Sequence, residues 1–423
     1  MADILIKNGR VICPDQGLDQ IADLLIKNGK IERIGQIRES GGEVIDASGK
    51  IVCPGLIDMH VHLREPGDDQ EETIASGSAA ALAGGFTTIV AMPNTDPPVD
   101  TPVTLEYVMS KARQAGNANV YFAGAITKGR KGEDLAELSL LTRSGAAAFS
   151  DDGSWVASGS VMSKALKYAR ITGRPIISHC EDPVLAGKGV MNAGSLATAL
   201  GLPGIPRSAE ETAVARDLLL ARETGGRIHI THVSIAGSVE LIRTAKAQGV
   251  NVSADVTPHH LVLTEDCVCG YDSNFKMNPP LRSEKDVQAL RAALKDGTID
   301  AVASDHAPHS LEEKECEFDK AAFGVIGLES TLAVLITELV EPGILTWLEL
   351  IAALSIKPAR VLGIAKGTLR PGADADVLII DPTMQWTIDS SRFVSLGRNC
   401  PFNGRTVTGQ AEITIVGGVV REV

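Results

Sequence analysis

The chain has 423 residues, 44% of them hydrophobic and 22% charged, which excludes a disordered segment and exceeds one ordinary compact domain. Its 53 acidic and 40 basic residues leave a net charge of -13 with no basic run, which excludes non-specific nucleic-acid binding. Seven cysteines without paired spacing exclude a disulfide framework and point to a reducing cytoplasm, the N-terminus lacks a signal-peptide pattern, and no apolar run reaches the ~18 residues that span a membrane.

In chain order, Asp3-Ile-Leu-Ile-Lys-Asn-Gly returns as Asp23-Leu-Leu-Ile-Lys-Asn-Gly. Each copy is a short β run leading into Asn-Gly, so residues 1–53 read as β-hairpins. Residues 365–423 have the same texture, with strands around Asp376-Val-Leu-Ile-Ile-Asp381 and Ile413-Thr-Ile-Val416. These two end segments are expected to pair into one small β-sandwich.

Residues 54–364 change to strand, loop, helix. Apolar runs occur at 51–62, 86–94, 119–127, 146–152, 175–181, 227–233, 250–260 and 299–305. Aromatics are only 4%, so the core rests on Ala, Val, Ile and Leu, as in parallel strands covered by helices. Ser208-Ala-Glu-Glu211 predicts a capping box and a helix ending near Gly225. Gly237-Ser238 opens a helix ending near Gly249, and Ser283 opens one ending near Gly297. Eight strands alternating with helices predict a (β/α)8 TIM-like barrel. A doubly wound sheet is less well supported, because no G-x-G-x-x-G follows the first strand.

Active sites of such barrels lie at the C-terminal ends of the strands. Here those ends carry Asp58-Met-His60-Val-His62, Asn94, Asp151-Asp152, His179, His232 and Asp305-His306-Ala-Pro-His309. Strand residues i and i+2 face the same side, so His60 and His62 project together into the barrel mouth. Imidazoles and carboxylates in this number suit a borderline divalent ion such as zinc. Cys267 and Cys269 form only a C-x-C pair, a weak metal signal.

The motifs resemble those of dihydroorotases of the bacterial class I type, in the amidohydrolase superfamily. Asp58 to Pro66 is similar to the first signature and Ala303 to Lys314 to the second. Met92-Pro-Asn-Thr95, Phe149-Ser-Asp-Asp-Gly153, Ser178-His-Cys-Glu181, Thr257-Pro-His-His-Leu261 and Lys276-Met-Asn-Pro-Pro-Leu-Arg282 resemble further blocks, in family order. The resemblance covers nearly the whole chain. It implies reversible cyclisation of N-carbamoyl-L-aspartate to L-dihydroorotate in pyrimidine synthesis. It also implies two Zn2+ per subunit, with His60 and His62 on the first ion and His179 and His232 on the second.

In many superfamily members a carboxylated lysine bridges the ions. No lysine stands at 149–153 here. The resemblance puts the bridge, together with a hydroxide, at Asp152, with Asp151 as the alternative, since alternation turns only one of two neighbours to the metal. Asp305 is implied as a ligand and as the proton shuttle between water and the ring nitrogen. His62, Arg64, Asn94, Asn278, His309, Phe323 and Gly324 are implied to bind substrate, with Arg64 forking its carboxylate.

His259 and His260 read as the end of the seventh strand, one supporting the site and one structural. His229 reads as packing, His306 as facing away, and Glu312, Glu313 and Lys314 as a solvated loop edge. The resemblance also implies a homodimer and an association with aspartate carbamoyltransferase. Two other functions compete: another cyclic amidohydrolase (allantoinase or dihydropyrimidinase), and an inactive scaffold for the carbamoyltransferase. Relatives of the scaffold kind lose ligands, whereas every expected ligand position is filled here.

Overall fold

The computed structural model describes residues 3–38 and 42–421. β1 (Ile4–Cys13) pairs antiparallel with β2 (Leu18–Lys27), and β2 with β3 (Lys30–Gly35). The two Asn-Gly dipeptides behave differently. Asn28-Gly29 makes the expected hairpin, with Lys27 facing Lys30. Asn8-Gly9 makes none: β1 runs straight through it, with a register shift between Ile6 and Gly9. A Cβ on Gly9 would lie 2.5 Å from Val52 Cγ2. Glycine there lets β1 lie against its other neighbours, β4 (Glu43–Asp46) and β5 (Ile51–Pro54), to which it is parallel.

The expected strand 51–62 is two strands. β6 (Leu56–Val61) begins a second sheet after Gly55, where a Cβ would collide with Thr87 at 2.2 Å. Parallel to it follow β7 (Phe86–Ala91), β8 (Asn119–Gly124), β9 (Ala148–Ser150) and β10 (Ile176–Ser178). A small excursion pairs β11 (Met191–Asn192) with β12 (Gly204–Ile205). The sheet continues through β13 (Ile228–Ile230), β14 (Val252–Val256) and β15 (Ala301–Val302). A parallel bridge from Val61 to His306 joins the last strand's extension to the first, and His62 N donates to His306 O at 2.8 Å. The eight parallel strands thus form the expected barrel.

Its lumen is filled by small and medium side chains, including Ile57, Val90, Ala123, Ala148, Ile177 and Ala301. The helix Ile356–Leu362 closes the N-terminal end, where Arg227, just before β13, donates to Arg360 O at 2.6 Å. Leu, Val and Ala from the outer helices cover the strands' other face. A fully buried Ile or Leu contributes roughly 1.5–3 kcal/mol, so this double-sided burial fixes the strand order and leaves the C-terminal rim free for chemistry.

The chain then returns to the first sheet. β16 (Val377–Thr387) pairs antiparallel with β5 and with β17 (Thr406–Val416), which pairs with β18 (Val419–Arg421). The N- and C-terminal segments therefore share one mixed sheet, ordered β18-β17-β16-β5-β1-β2-β3 with β4 on β1.

Three local expectations change. The helix Ser208–Thr224 ends at left-handed Gly225 as read, but its capping box does not form. Glu210 instead turns inward to Ser234, and Arg207 to Asp286. The run 250–260 stops at Val256, because Thr257 caps a short helix, Pro258–Val262, that carries His259 and His260. Lys314 is buried rather than solvated, and its ammonium donates to Ala322 O and Gly324 O at 2.9 Å. All seven cysteines are free, and among the described residues no helix is long and apolar enough to cross a membrane.

Candidate metal centre and substrate pocket

β6 and the residue directly after it supply the first two imidazoles, His60 and His62. Beneath them the Asp58 carboxylate accepts from His60 N and from Ser304 N, both at 3.0 Å, and so locks β6 to the end of β15. Burial pushes Asp58 up to about 6. His60 and His62 project to one side as alternation requires. Their Nε2 atoms lie 3.4 and 3.1 Å from the same oxygen, Asp305 Oδ1.

Three further strand ends converge on the same point. Asp152 Oδ2 lies 3.2 Å from His60 Nε2 and 3.5 Å from His62 Nε2. Its other oxygen, Oδ1, lies 3.7 Å from both His179 Nδ1 and His232 Nε2. The carboxylate therefore stands between two pairs of imidazoles. Asp151 points away, accepting from Ile126 N and Thr127 N at 2.8 and 3.0 Å. Two backbone donors hold it as a structural brace.

Do these residues fit a metal? Donors held tetrahedrally at ~2.0–2.1 Å from zinc are about 3.3 Å apart, close to the spacing of His60, His62, Asp152 and Asp305. His60 Nε2 and Asp152 Oδ1 are buried and have no hydrogen-bond partner. Unsatisfied buried polar atoms are costly and rare; a cation between them removes the cost. The centre is also electrostatically primed. Burial alone would raise Asp152, but His60, His179 and His232 hold it well below the usual carboxylate range. Asp305 is likewise pulled low against its burial by His60 and His62. His60 would be depressed by burial, yet Asp152 and Asp305 drive it up to about 10. The donor set suits a divalent cation.

Surrounding groups aim the ligands. His62 Nδ1 lies 2.8 Å from Asn94 Oδ1, so that nitrogen carries the proton and Nε2 presents its lone pair to the centre. His60 Nδ1 lies 2.8 Å from Thr231 Oγ1, which donates to Asp255. Asp255 also accepts from His232 N at 2.6 Å and lies 2.8 Å from His229 Nε2. Three residues of the site hold left-handed backbone that non-glycine residues adopt only at a cost: Arg64, His232 and Asp305, at φ of 60°, 39° and 50°.

Beside the centre lies a basic corner. Arg64 Nε donates to Pro308 O at 3.0 Å and lies 3.2 Å from Glu71 Oε2, while a terminal nitrogen lies 3.2 Å from His309 Nε2. His309 Nδ1 is 2.6 Å from Glu313 Oε2, and its Nε2 is 2.9 Å from Phe323 O. Gly324, at φ 138°, packs so closely that a Cβ would meet His309 Nε2 at 3.0 Å. Asn278 Nδ2 donates to Glu181 at 3.0 Å, and its buried Oδ1 has no partner. Arg64, His309, Phe323 and Gly324 thus form one connected wall, Asn94 joins Asp305 through His62, and Asn278 stands near His179's strand. His306 faces the other way, towards Glu72 and Gly327 N.

Sequence reasoning missed Glu71, Glu72, Thr231, Asp255 and Asn399. None lies in a spacing that signals a ligand. A cavity of about 830 Å3 lined by Trp386, Phe393 and Gln410 lies apart from this centre.

A parallel barrel with six convergent imidazoles and carboxylates at its mouth defines an amidohydrolase. Residues 49–238 match the family described as Dihydro-orotase-like. The chain is 54% identical to a dihydroorotase of Pelotomaculum thermopropionicum over 99% of this chain and 98% of that one. It is 50% identical to a dihydroorotase of Geobacter metallireducens over 99% of each. Among solved structures it is similar to an L-hydantoinase (dihydropyrimidinase) from Arthrobacter aurescens, with TM-score 0.88, 31% identity and coverage of 99% and 96%. A dihydropyrimidinase from Brevibacillus agri gives TM-score 0.85 and 26% identity over 99% and 94%. The chain belongs to the dihydroorotase family.

Proposed function

We propose that this chain interconverts N-carbamoyl-L-aspartate and L-dihydroorotate in pyrimidine synthesis, with residues 54–364 as the catalytic barrel and 1–53 plus 365–423 as the appended β unit. The observation that carries the reading is the placement of Arg64 and His309 beside the His60–His62–Asp305 group. A substrate with a carboxylate next to a cyclic amide needs both halves.

His60, His62, Asp305 and one oxygen of Asp152 would hold one divalent ion, and His179, His232 and the other oxygen a second; zinc suits this donor set. Bound there, the ions would lower the pKa of water towards neutrality and polarise the amide carbonyl.

The chain's own residues do the rest. Arg64 and His309, with Asn94, bind the carboxylate and so orient the ring. Asn278 and the Phe323–Gly324 backbone hold the ring amides. Asp305, fixed by His62, takes a proton from water and delivers it to the departing ring nitrogen; in the cyclising direction it does the reverse. One carboxylate serves as both base and acid because it faces both atoms.

The hydantoinase-like structures keep a second reading in view, a cyclic amide without a carboxylate. Such a substrate offers no carboxylate to the Arg64 fork, which would then keep Glu71 as its acidic partner. The test is turnover of dihydroorotate against hydantoin, dihydrouracil and allantoin, with metal content measured on the same preparation. Dihydroorotate is expected to be preferred by orders of magnitude, with up to two zinc per chain. Preference for hydantoin or dihydrouracil would overturn the reading. Low metal content without turnover would favour an inactive scaffold. The same reading includes a cytoplasmic homodimer and an association with aspartate carbamoyltransferase, testable by sedimentation and co-purification.

A further inference from the structure

The segment between β16 and β17 leaves the mixed sheet and reaches the barrel mouth. Its Asn399 side chain is buried, at 3% exposure, and makes three hydrogen bonds there. Nδ2 donates to Ala307 O at 2.9 Å and to Gly324 O at 3.1 Å. Oδ1 accepts from His309 N at 3.3 Å. One amide therefore ties the loop after β15 to the loop at Phe323–Gly324, and its backbone oxygen adds a bond from Ile326 N at 3.0 Å.

The strap is fitted closely. A Cβ on Gly397 would meet Pro308 Cβ at 2.7 Å and Asn399 Oδ1 at 2.9 Å. A second anchor lies one turn earlier: Ser395 Oγ donates to Glu72 at 2.6 Å, and the same Glu72 oxygen lies 3.3 Å from His306 Nε2. The strap thus grips the 306–309 loop on both sides of Pro308, whose carbonyl receives Arg64 Nε.

We propose that Asn399 is a positioning residue for recognition of the substrate carboxylate: it sets the His309 backbone, and through Pro308 the Arg64 guanidinium, at the distance from the catalytic centre that a carboxylated six-membered ring requires. This rests on the reading of Arg64 and His309 as the carboxylate clamp. The amide is suited to the task because it offers two donors and an acceptor in one plane. Aspartate has nearly the same shape but would face two carbonyl oxygens with no donor.

The experiment compares wild type with Asn399→Ala and the near-isosteric Asn399→Asp in steady-state turnover of dihydroorotate and of N-carbamoyl-aspartate, alongside zinc content and melting temperature. Both variants are expected to raise KM at least tenfold for both substrates, to keep kcat within about threefold, and to bind zinc as wild type does. Asn399→Gln, which keeps donors and acceptor, is expected to recover part of the KM. A KM within twofold of wild type in folded Asn399→Asp overturns the proposal, as does an equal fall in kcat with loss of zinc. Wild type that does not turn over dihydroorotate overturns the underlying reading instead, so the two failures are distinguishable.

Discussion

His60 and Asp255 do not touch, yet Thr231 joins them: its hydroxyl sits 2.8 Å from His60 Nδ1 and 3.0 Å from Asp255 Oδ2. The hydroxyl's one proton goes to the carboxylate, so towards the imidazole it can only accept. This fixes which nitrogen of His60 carries the proton and which faces the metal centre.

Replacing Thr231 with Val keeps its shape and removes that link. Zinc affinity, measured by competition with a chromophoric chelator, is expected to fall roughly 10- to 100-fold. Unchanged affinity would show that the barrel alone holds the ring.

Asp305→Asn keeps the shape of the centre but cannot take a proton. Turnover of dihydroorotate is expected to become undetectable while circular dichroism and melting behaviour stay close to wild type. Substantial residual activity would contradict the shuttle role.

Arg64→Lys keeps a positive charge but loses the planar fork and the Nε bond to Pro308. KM for dihydroorotate is expected to rise about 10- to 100-fold, a loss typical of one charge-assisted contact, with a smaller effect on kcat. A KM unchanged by this substitution would remove Arg64 from substrate binding.

A fourth expectation concerns stability. Asp286 accepts from Arg207 at 2.7 and 2.5 Å, from Ser283 Oγ at 2.6 Å and from Ala236 N at 3.0 Å, joining three helix starts. Burial would raise its carboxyl, but Arg207 and Ser283 lower it to about 2. A carboxylate depressed on folding stabilises the protein above its unfolded pKa, and that stability is lost as pH falls through the folded value. Asp286→Asn should cost about 1 kcal/mol at pH 7, after allowing for screening at the part-exposed Arg207. The gap between wild-type and variant melts should begin to close below about pH 4. A gap independent of pH would rule out the charge as its origin.

The barrel and the convergence of His and Asp at its mouth were largely legible because their signals are local. His60 and His62 share a strand face by alternation, and Asp305 and His309 lie in one motif. Distinguishing Asp151 from Asp152 required coordinates, since either could have faced inward until Ile126 and Thr127 were seen to claim Asp151. The supporting residues were not legible. Asn399 sits in a stretch rich in Gly, Asn and Pro, where asparagine ordinarily signals a turn, and its side-chain partners are 75 to 92 residues away. Lys314 looked solvated because a charged run usually is. Only the fold shows the carbonyl oxygens of Lys276, Ala322 and Gly324 arranged to receive its ammonium. Asn8-Gly9 and Asn28-Gly29 are identical dipeptides with different outcomes, decided by whether another strand lies beside the glycine.

The contact between Val61 and His306 has a consequence for the protein before it acquires metal. The cylinder's closing seam runs through the residues that flank its ligands, so the same few ångströms serve both architecture and chemistry. Ions bound across that seam would act as rivets, and the apo form should breathe there first. Loading would then be felt as slower amide exchange at His62 and Ala307, well before any change in the distant hairpins. Supply of the metal would govern how long the enzyme survives as well as how fast it works.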